Sequence, residues 1–296
     1  MREQPAGPTG STGSVRSVQP TGLGRRHRRL SDQETRDRML RAATAMINRT
    51  GLTVSLDHIS FEEVIREADV SRSTAYRHWP YKDLFFSDLV KELARTASPT
   101  IVSDEIRLIK RVLGEHLDWL QTPQSRHSLI LELIRQLAVL DFEAVIGSPG
   151  WRTYLALHAT FSSLTDGQLR DQVRAALAQA EAAHTDRVAE AWRQLAALFG
   201  YRLRPELAAS FDALATLLTA TMRGLVITAL STPDIATDVT VGSPFGAAGK
   251  QPWSLPAIGI ASVATAFLEP DPTTVWDDQR LAQIHRVLDA WDESGG

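Results

Sequence analysis

Between residues 68 and 85 the chain reads ADVSRSTAYRHWPYKDLF, crowding Tyr76, Arg77, His78, Trp79 and Lys82 just behind the hydroxyl residues Ser71, Ser73 and Thr74. Each type has a chemistry to offer. An arginine forms two parallel hydrogen bonds to a guanine edge, Ser and Thr hydroxyls reach base edges or phosphates, and a Tyr hydroxyl or Lys ammonium holds phosphate oxygens without reading sequence. The competing reading is that Arg72, Arg77 and Lys82 only solubilise a surface. Other chemistries find less support. No G-x-S-x-G or H-E-x-x-H occurs, GSPFGAAGKQ lacks the spacing and terminal hydroxyl of a phosphate loop, and GLGRR completes no dinucleotide fingerprint. The chain has no cysteine, which removes disulfides, thiolate metal sites and cysteine nucleophiles. Its eight histidines are scattered, and His184 with Glu181 supplies too few ligands for a metal. No catalytic residue, metal or cofactor is therefore expected.

These side chains need elements to position them. SDQE at 31–34 is a capping box, and Met39, Ala43, Met46 and Ile47 then recur at three- and four-residue steps until Gly51 offers a stop. A second box, Ser60 to Glu63, opens a short helix striped by Phe61, Val64, Ile65 and Ala68. Asp69 and Val70 break that pattern. Ser71 can cap a third helix in which Ala75 and Trp79 lie four apart on the inner face, and Pro80 ends it. At 100 degrees per residue, Ser73 and Arg77 then point farthest outward, flanked by Thr74 and Tyr76, with Arg72 at the exposed start. A helix presenting donors and a cation, joined by a short turn to another helix, has the layout of a DNA-reading helix-turn-helix. Leu84, Phe85, Leu89 and Leu93 mark a fourth helix that closes the unit near Thr96 to Pro99.

The rest of the 296 residues also reads helical, in segments near 102–120, 125–146, 151–164, 167–199, 206–230 and 276–292, with no sustained period-two alternation, so strands are improbable. Residues 231–256 read as a long Gly- and Pro-rich loop, mobile or functional. Residues 1–30 hold six Arg and one acid, a charge of +5, against −8 for the remainder and −3 for the whole. The first 24 residues have almost nothing to bury and are expected to be disordered. Arg25, Arg26, Arg28 and Arg29 then form a basic run, either a solvated tail or an arm for a polyanion. With no apolar run behind the N-terminal charges and no stretch of about 18 consecutive apolar residues, neither a signal peptide nor a membrane span is read, and a cytoplasmic location is expected.

The segment FEEVIREADVSRSTAYRHWPYKDLF resembles the N-terminal helix-turn-helix of the TetR family of bacterial transcriptional repressors, over about Ser31 to Arg95. The resemblance rests on the apolar stripe of the second helix, Val70-Ser71, Thr74 with Tyr76, the aromatic Trp79, and Lys82 two residues beyond Pro80. It implies base contacts from Arg72, Ser73, Arg77 and His78 and phosphate contacts from Thr74, Tyr76 and Lys82; His78 could equally pack. Three departures from the family pattern occur, of which the last two bear on the angle between the helices. Asp69 stands where a turn glycine is usual, Ile65 replaces a small residue, and the segment from Gly51 to Ser60 is long. Asp69 remains compatible because Asp enters the left-handed region, though less cheaply than Gly.

The family resemblance further implies an all-helical C-terminal domain that binds a small molecule and dimerises through its last long helices as a four-helix bundle. In this chain Leu207, Phe211, Leu214, Leu218, Met222 and Leu225 at helical spacing in 205–230, begun by a proline, resemble the dimerisation helix; an ordinary core helix would show the same periodicity. Trp151, Tyr154, His158 and Phe161 at i, i+3, i+7 and i+10 offer aromatic pocket walls with one titratable group, with Trp119 and Trp192 as further candidates; core packing explains them too. The expectation is thus an all-α protein: a basic tail over 1–30, a three-helix helix-turn-helix domain over 31–95, and a larger helical effector-binding and dimerisation domain over 100–296. Its partners would be double-stranded operator DNA of palindromic sequence, a small-molecule effector and a second copy of itself, with no membrane. The alternative is a helical enzyme or protein-interaction module whose N-terminal unit docks a partner, and repression is not separable from activation by sequence.

Overall fold

The computed structural model describes residues 31–50, 59–96, 103–164 and 167–293. The basic run Arg25 to Arg29, the segment between Gly51 and His58, and most of the expected domain boundary lie outside these residues. Within them the fold is all-α, with eleven α-helices and four very short strands.

Local chemistry accounts for the first four helices. In α1 (Asp32–Thr50) the Ser31 amide donates to Glu34 Oε2 at 2.8 Å while the Glu34 amide donates to Ser31 Oγ at 3.1 Å, a reciprocal capping box. Met39, Ala43 and Ile47 are fully buried, as their spacing predicts. Helix α2 (Phe61–Glu67) starts where Ser60 Oγ accepts from the Glu63 amide, and it buries Phe61, Val64 and Ile65. Helix α3 (Arg72–His78) follows the turn, and α4 (Lys82–Thr96) buries Phe85, Leu89 and Leu93. Leu84, expected on that stripe, is instead 50% exposed, and Val90 fills the inner face.

The turn between α2 and α3 is tight. The Asp69 amide donates to Arg66 O and the Val70 amide to Ile65 O, each at 3.2 Å, which carries Asp69 into the left-handed region at φ 52°. Its side chain is exposed. Glycine reaches this conformation without a Cβ penalty, so Asp69→Gly is expected to raise stability by about 0.5 kcal/mol, the relieved strain slightly outweighing glycine's extra unfolded-state entropy. Thermal melting monitored by circular dichroism checks it; a lower midpoint would mean that the aspartate side chain itself holds the turn.

These helices do not form a closed unit. Their core continues into Leu157 of α7 (Pro149–Ser163) and Val173, Ala176 and Leu177 of α8 (Gln168–Leu198), and α4 lies along α8 while α1 meets α7. Thr153 Oγ1 also donates to Asn48 Oδ1 across the α1–α7 seam at 3.2 Å. A second core joins α6 (Pro123–Gly147), α9 (Phe211–Ala229) and α10 (Leu255–Phe267). A third gathers Ile109 and Leu113 of α5 (Ser103–Glu115), Leu198 of α8 and Ile284 of α11 (Asp278–Glu293).

Three expectations are corrected here. Strands are present: β1 (Tyr201–Leu203) pairs antiparallel with β4 (Leu268–Pro270), and β2 (Val239–Gly242) with β3 (Gln251–Ser254). Elements of three or four residues are too short to show a two-residue period. The 231–256 stretch is accordingly no open loop. It holds 3-10 turns at Pro233–Ala236 and Pro244–Gly246 around the β2–β3 hairpin, and Trp253 is 1% exposed. His127 ties it to α6, with Nε2 2.8 Å from Phe245 O and Nδ1 2.9 Å from the Tyr201 hydroxyl. Finally, Pro205 opens a separate 3-10 turn, Leu207 is exposed, and α9 begins instead at Ser210, whose Oγ accepts from the Ala213 amide.

Helix α10 escaped the sequence reading altogether. LPAIGIASVATAF is apolar nearly all round because α6 and α9 cover it on two sides, and such a helix shows no amphipathic stripe. Gly259 permits the close α9 crossing: a Cβ there would stand 3.1 Å from Thr221 Cγ2 and 3.3 Å from Leu225 Cδ1. Helix α9 is on average apolar enough to cross a membrane, yet it carries Asp212 and Arg223 and packs against α6, α8 and α10.

Candidate functional site

Helix α3 is presented by its buried side. Ser71 Oγ caps it, accepting from the Thr74 amide at 3.2 Å and lying 2.8 Å from Thr74 Oγ1 and 3.1 Å from Ser73 Oγ. Ala75 is fully buried and Trp79 is 2% exposed. The Trp79 ring meets Phe61 and Phe85 edge-on, with centroids 6.5 and 5.1 Å away, and its Nε1–H donates to Asp88 Oδ2 at 3.1 Å. Burial pushes the Asp88 carboxyl up, but its hydrogen bonds from Lys91 and Trp79 outweigh that and hold it below the usual carboxylate range.

With that face fixed, Arg72, Ser73, Tyr76 and Arg77 are exposed, Thr74 is half-buried, and Lys82 is exposed at the start of α4. His78 is half-buried with its ring centroid 4.2 Å from that of Trp79, so part of its surface is committed to packing. Arg72, Ser73, Tyr76 and Arg77 thus form an exposed polar surface on α3.

A residue that the sequence reading did not single out organises that surface. Glu62 of α2 accepts from Arg72 Nε through Oε2 at 2.8 Å and from the Tyr76 hydroxyl through Oε1 at 2.9 Å. The Tyr76 bond and then Arg72 hold the Glu62 carboxyl below its ordinary range, and the same contact raises the Tyr76 phenol. Arg77 approaches Asp32 of α1 at 3.6 Å. Both arginines therefore rest on carboxylates.

The five expected pocket residues separate. Trp151 and Tyr154 stack at 4.9 Å, and Tyr154 meets the His158 ring at 4.1 Å. Tyr154 is core: its hydroxyl donates to Glu181 Oε1 at 2.8 Å, while Arg223 Nη1 donates to that hydroxyl at 2.7 Å and to Glu181 Oε2 at 2.8 Å. Burial raises the Tyr154 phenol; burial also pushes Glu181 up, but Arg223 more than offsets this. Phe161 packs instead on the N-terminal core under Arg170, and Trp119 stacks on His116 at 4.2 Å beside the third core.

Of the five, Trp151 alone borders the large cleft, about 610 Å³ among α5, α6, α7, α8, α9 and α10. Trp192 also lines it, as do Glu105, Asp141, His184 and Arg223. A spacing argument along one helix could not find this set, because its members come from five helices. A second, wholly apolar cavity beside Ile134 and Phe199 encloses only about 40 Å³.

The chain is therefore an all-α protein whose N-terminal helices form a helix-turn-helix seated on a larger helical body that contains a cleft. No protein-family profile matches the sequence, and no curated protein does. Among solved structures, TylP, a TetR regulator from Streptomyces fradiae, is similar over 88% of this chain and 92% of its own, at 15% identity and a TM-score of 0.40. SmeT, the repressor of the Stenotrophomonas maltophilia multidrug efflux pump SmeDEF, is similar over 83% of this chain and 95% of its own, at 17% identity and a TM-score of 0.36.

Proposed function

We propose that this chain is a cytoplasmic, homodimeric, TetR-like transcriptional repressor that leaves a palindromic operator when a small molecule enters its C-terminal domain. One observation carries the reading: α3, pinned by Ala75 and Trp79 and joined to α2 by a tight turn, turns Arg72, Ser73, Tyr76 and Arg77 to solvent together. Arg72 and Ser73, with Arg77 and His78, read base edges; Thr74, Tyr76 and Lys82 hold phosphates. Residues 31–95 form the reading head and 100–296 the sensor. Arg25, Arg26, Arg28 and Arg29 act as an arm on the adjacent minor groove or phosphates.

Dimerisation uses α8 and α9. The stripe of Leu214, Leu218 and Met222 is occupied inside the chain, but Leu217 and Ile227 leave α9 apolar and about half exposed on its other side. The effector acts by binding better to dimers whose reading heads are set apart, which lowers DNA affinity by its differential affinity.

Fluorescence anisotropy of the protein against DNA from its own upstream region and an unrelated duplex, across a salt series, tests the core of this reading. Preference for its own DNA that survives rising salt is expected. Absence of binding to either duplex at low salt would instead favour a docking domain.

Glu62 supplies a prediction of opposite sign to an ordinary loss of contact. Its carboxylate competes with base edges for Arg72 and with phosphates for Tyr76, and adds negative charge to the DNA-facing surface. Glu62→Gln should tighten binding to unrelated duplex by roughly 3- to 10-fold at low salt and narrow the preference for the operator. Weaker binding to both duplexes would show that Glu62 aims Arg72 and does not restrain it.

A further inference from the structure

The cleft bordered by Trp151 has a chemical bias. Glu105 of α5 and Asp141 of α6 stand against each other on its wall; burial raises both carboxyls, and Asp141 raises Glu105 further while the hydrogen bond from Glu105 offsets part of the rise at Asp141, so the pair holds a shared proton more readily than free carboxyls do. Asp141 Oδ1 is buried with no hydrogen-bond partner. A second polar group there is also unsatisfied: Trp151, 1% exposed, has an Nε1–H without an acceptor. Buried polar groups are nearly always paired, and two orphans lining one cleft point to a ligand site. The rest of the lining is mixed: Trp192, Leu218, Met222 and Ile260 supply apolar wall beside polar groups of α8 and α9, and the volume suits a drug-sized molecule. Arg223, on the same cleft, is already engaged by Glu181 and Tyr154.

We infer that the cleft binds an apolar amine cation, with the ammonium between Glu105 and Asp141. As the cation docks, the proton shared by the two carboxyls leaves to solvent, and the pair becomes fully ionised beside the new positive charge. Aromatic walls favour a cation over an anion of the same shape. This identifies the effector class within the regulator reading, but binding is measured without DNA, so the two fail separately.

The test is isothermal titration of the full chain with 4-phenylbutylamine, 4-phenylbutanol and 4-phenylbutyrate at pH 7.5. The amine should bind at least about tenfold tighter than the alcohol, and its heat should vary with the ionisation enthalpy of the buffer because a proton is released. Asp141→Asn and Glu105→Gln should each reduce that preference below about threefold. These variants leave unchanged the other ionisable groups on the cleft, His184, Asp186, Arg187 and Glu190 of α8 and Arg223 of α9, so the comparison isolates the pair. If neither variant folds by circular dichroism, the amine-to-alcohol ratio and the buffer dependence in the unaltered protein decide alone. Equal binding of amine and alcohol, preference for the carboxylate, a preference unchanged in both variants, or no binding of any probe up to about 10 mM would overturn the inference.

Discussion

Replacing Trp79 with alanine is expected to lower the unfolding free energy by about 3–5 kcal/mol, the range for emptying a large aromatic site in a packed core. The indole is 2% exposed and closes an aromatic cluster with Phe61 and Phe85, which come from two other helices, so its loss leaves a cavity where three helices meet. It also removes the donor from Asp88, whose ionised form depends partly on that bond. Because the same core runs into α7 and α8, the damage should appear as a shift of the whole unfolding transition and not as local fraying. Urea denaturation followed by far-ultraviolet circular dichroism measures it. Trp79→Phe should recover most of the loss, leaving about 1–2 kcal/mol for the missing hydrogen bond and volume. A loss below about 1 kcal/mol for the alanine variant would show that α3 is not held through this residue.

The second large effect concerns recognition. Under the proposed function, Arg72→Ala should cost about 1–3 kcal/mol in operator binding, roughly 5- to 150-fold, and much less on an unrelated duplex. Arg72→Lys should fail to restore the preference, since an ammonium cannot form the two parallel bonds of a guanidinium. Equal losses on both duplexes would reduce Arg72 to a phosphate contact. Combining Arg72→Ala with Glu62→Gln adds a further check. The two side chains bond directly in the free protein, so their effects should be non-additive, with the Glu62 change gaining less once Arg72 is absent, its remaining gain coming from Tyr76 and the lost charge. Simple additivity would mean that the restraint seen in the free chain is released before binding.

Much of the helix-turn-helix was legible because it is written in local code. Capping residues Ser31, Ser60 and Ser71, the apolar steps along α1 and α2, and the four-residue separation of Ala75 and Trp79 each act within a few residues, so periodicity and hydrogen-bond supply determine both the helices and the faces they bury. Asp69 was readable as a left-handed turn residue for the same reason.

What the sequence could not reveal depends on neighbours distant along the chain. Helix α10 is covered on two sides and has no polar stripe to betray it, and the paired strands are too short for alternation to register. Trp151 and Phe161 lie on one helix, yet only Trp151 faces the cleft, because α9 and α8 draw their surroundings apart. Glu105 and Asp141 belong to no motif; packing α5 on α6 sets two part-buried carboxyls face to face on the cleft wall, and so creates their chemistry. Glu62 is an ordinary first-turn acid in the sequence, and it becomes the restraint on Arg72 and Tyr76 only because the turn at Asp69 folds α3 back across α2. Short-range periodicity thus determined which helices form and what they bury, while side-chain proximity across helices decided where charge is confined and which arginine is held.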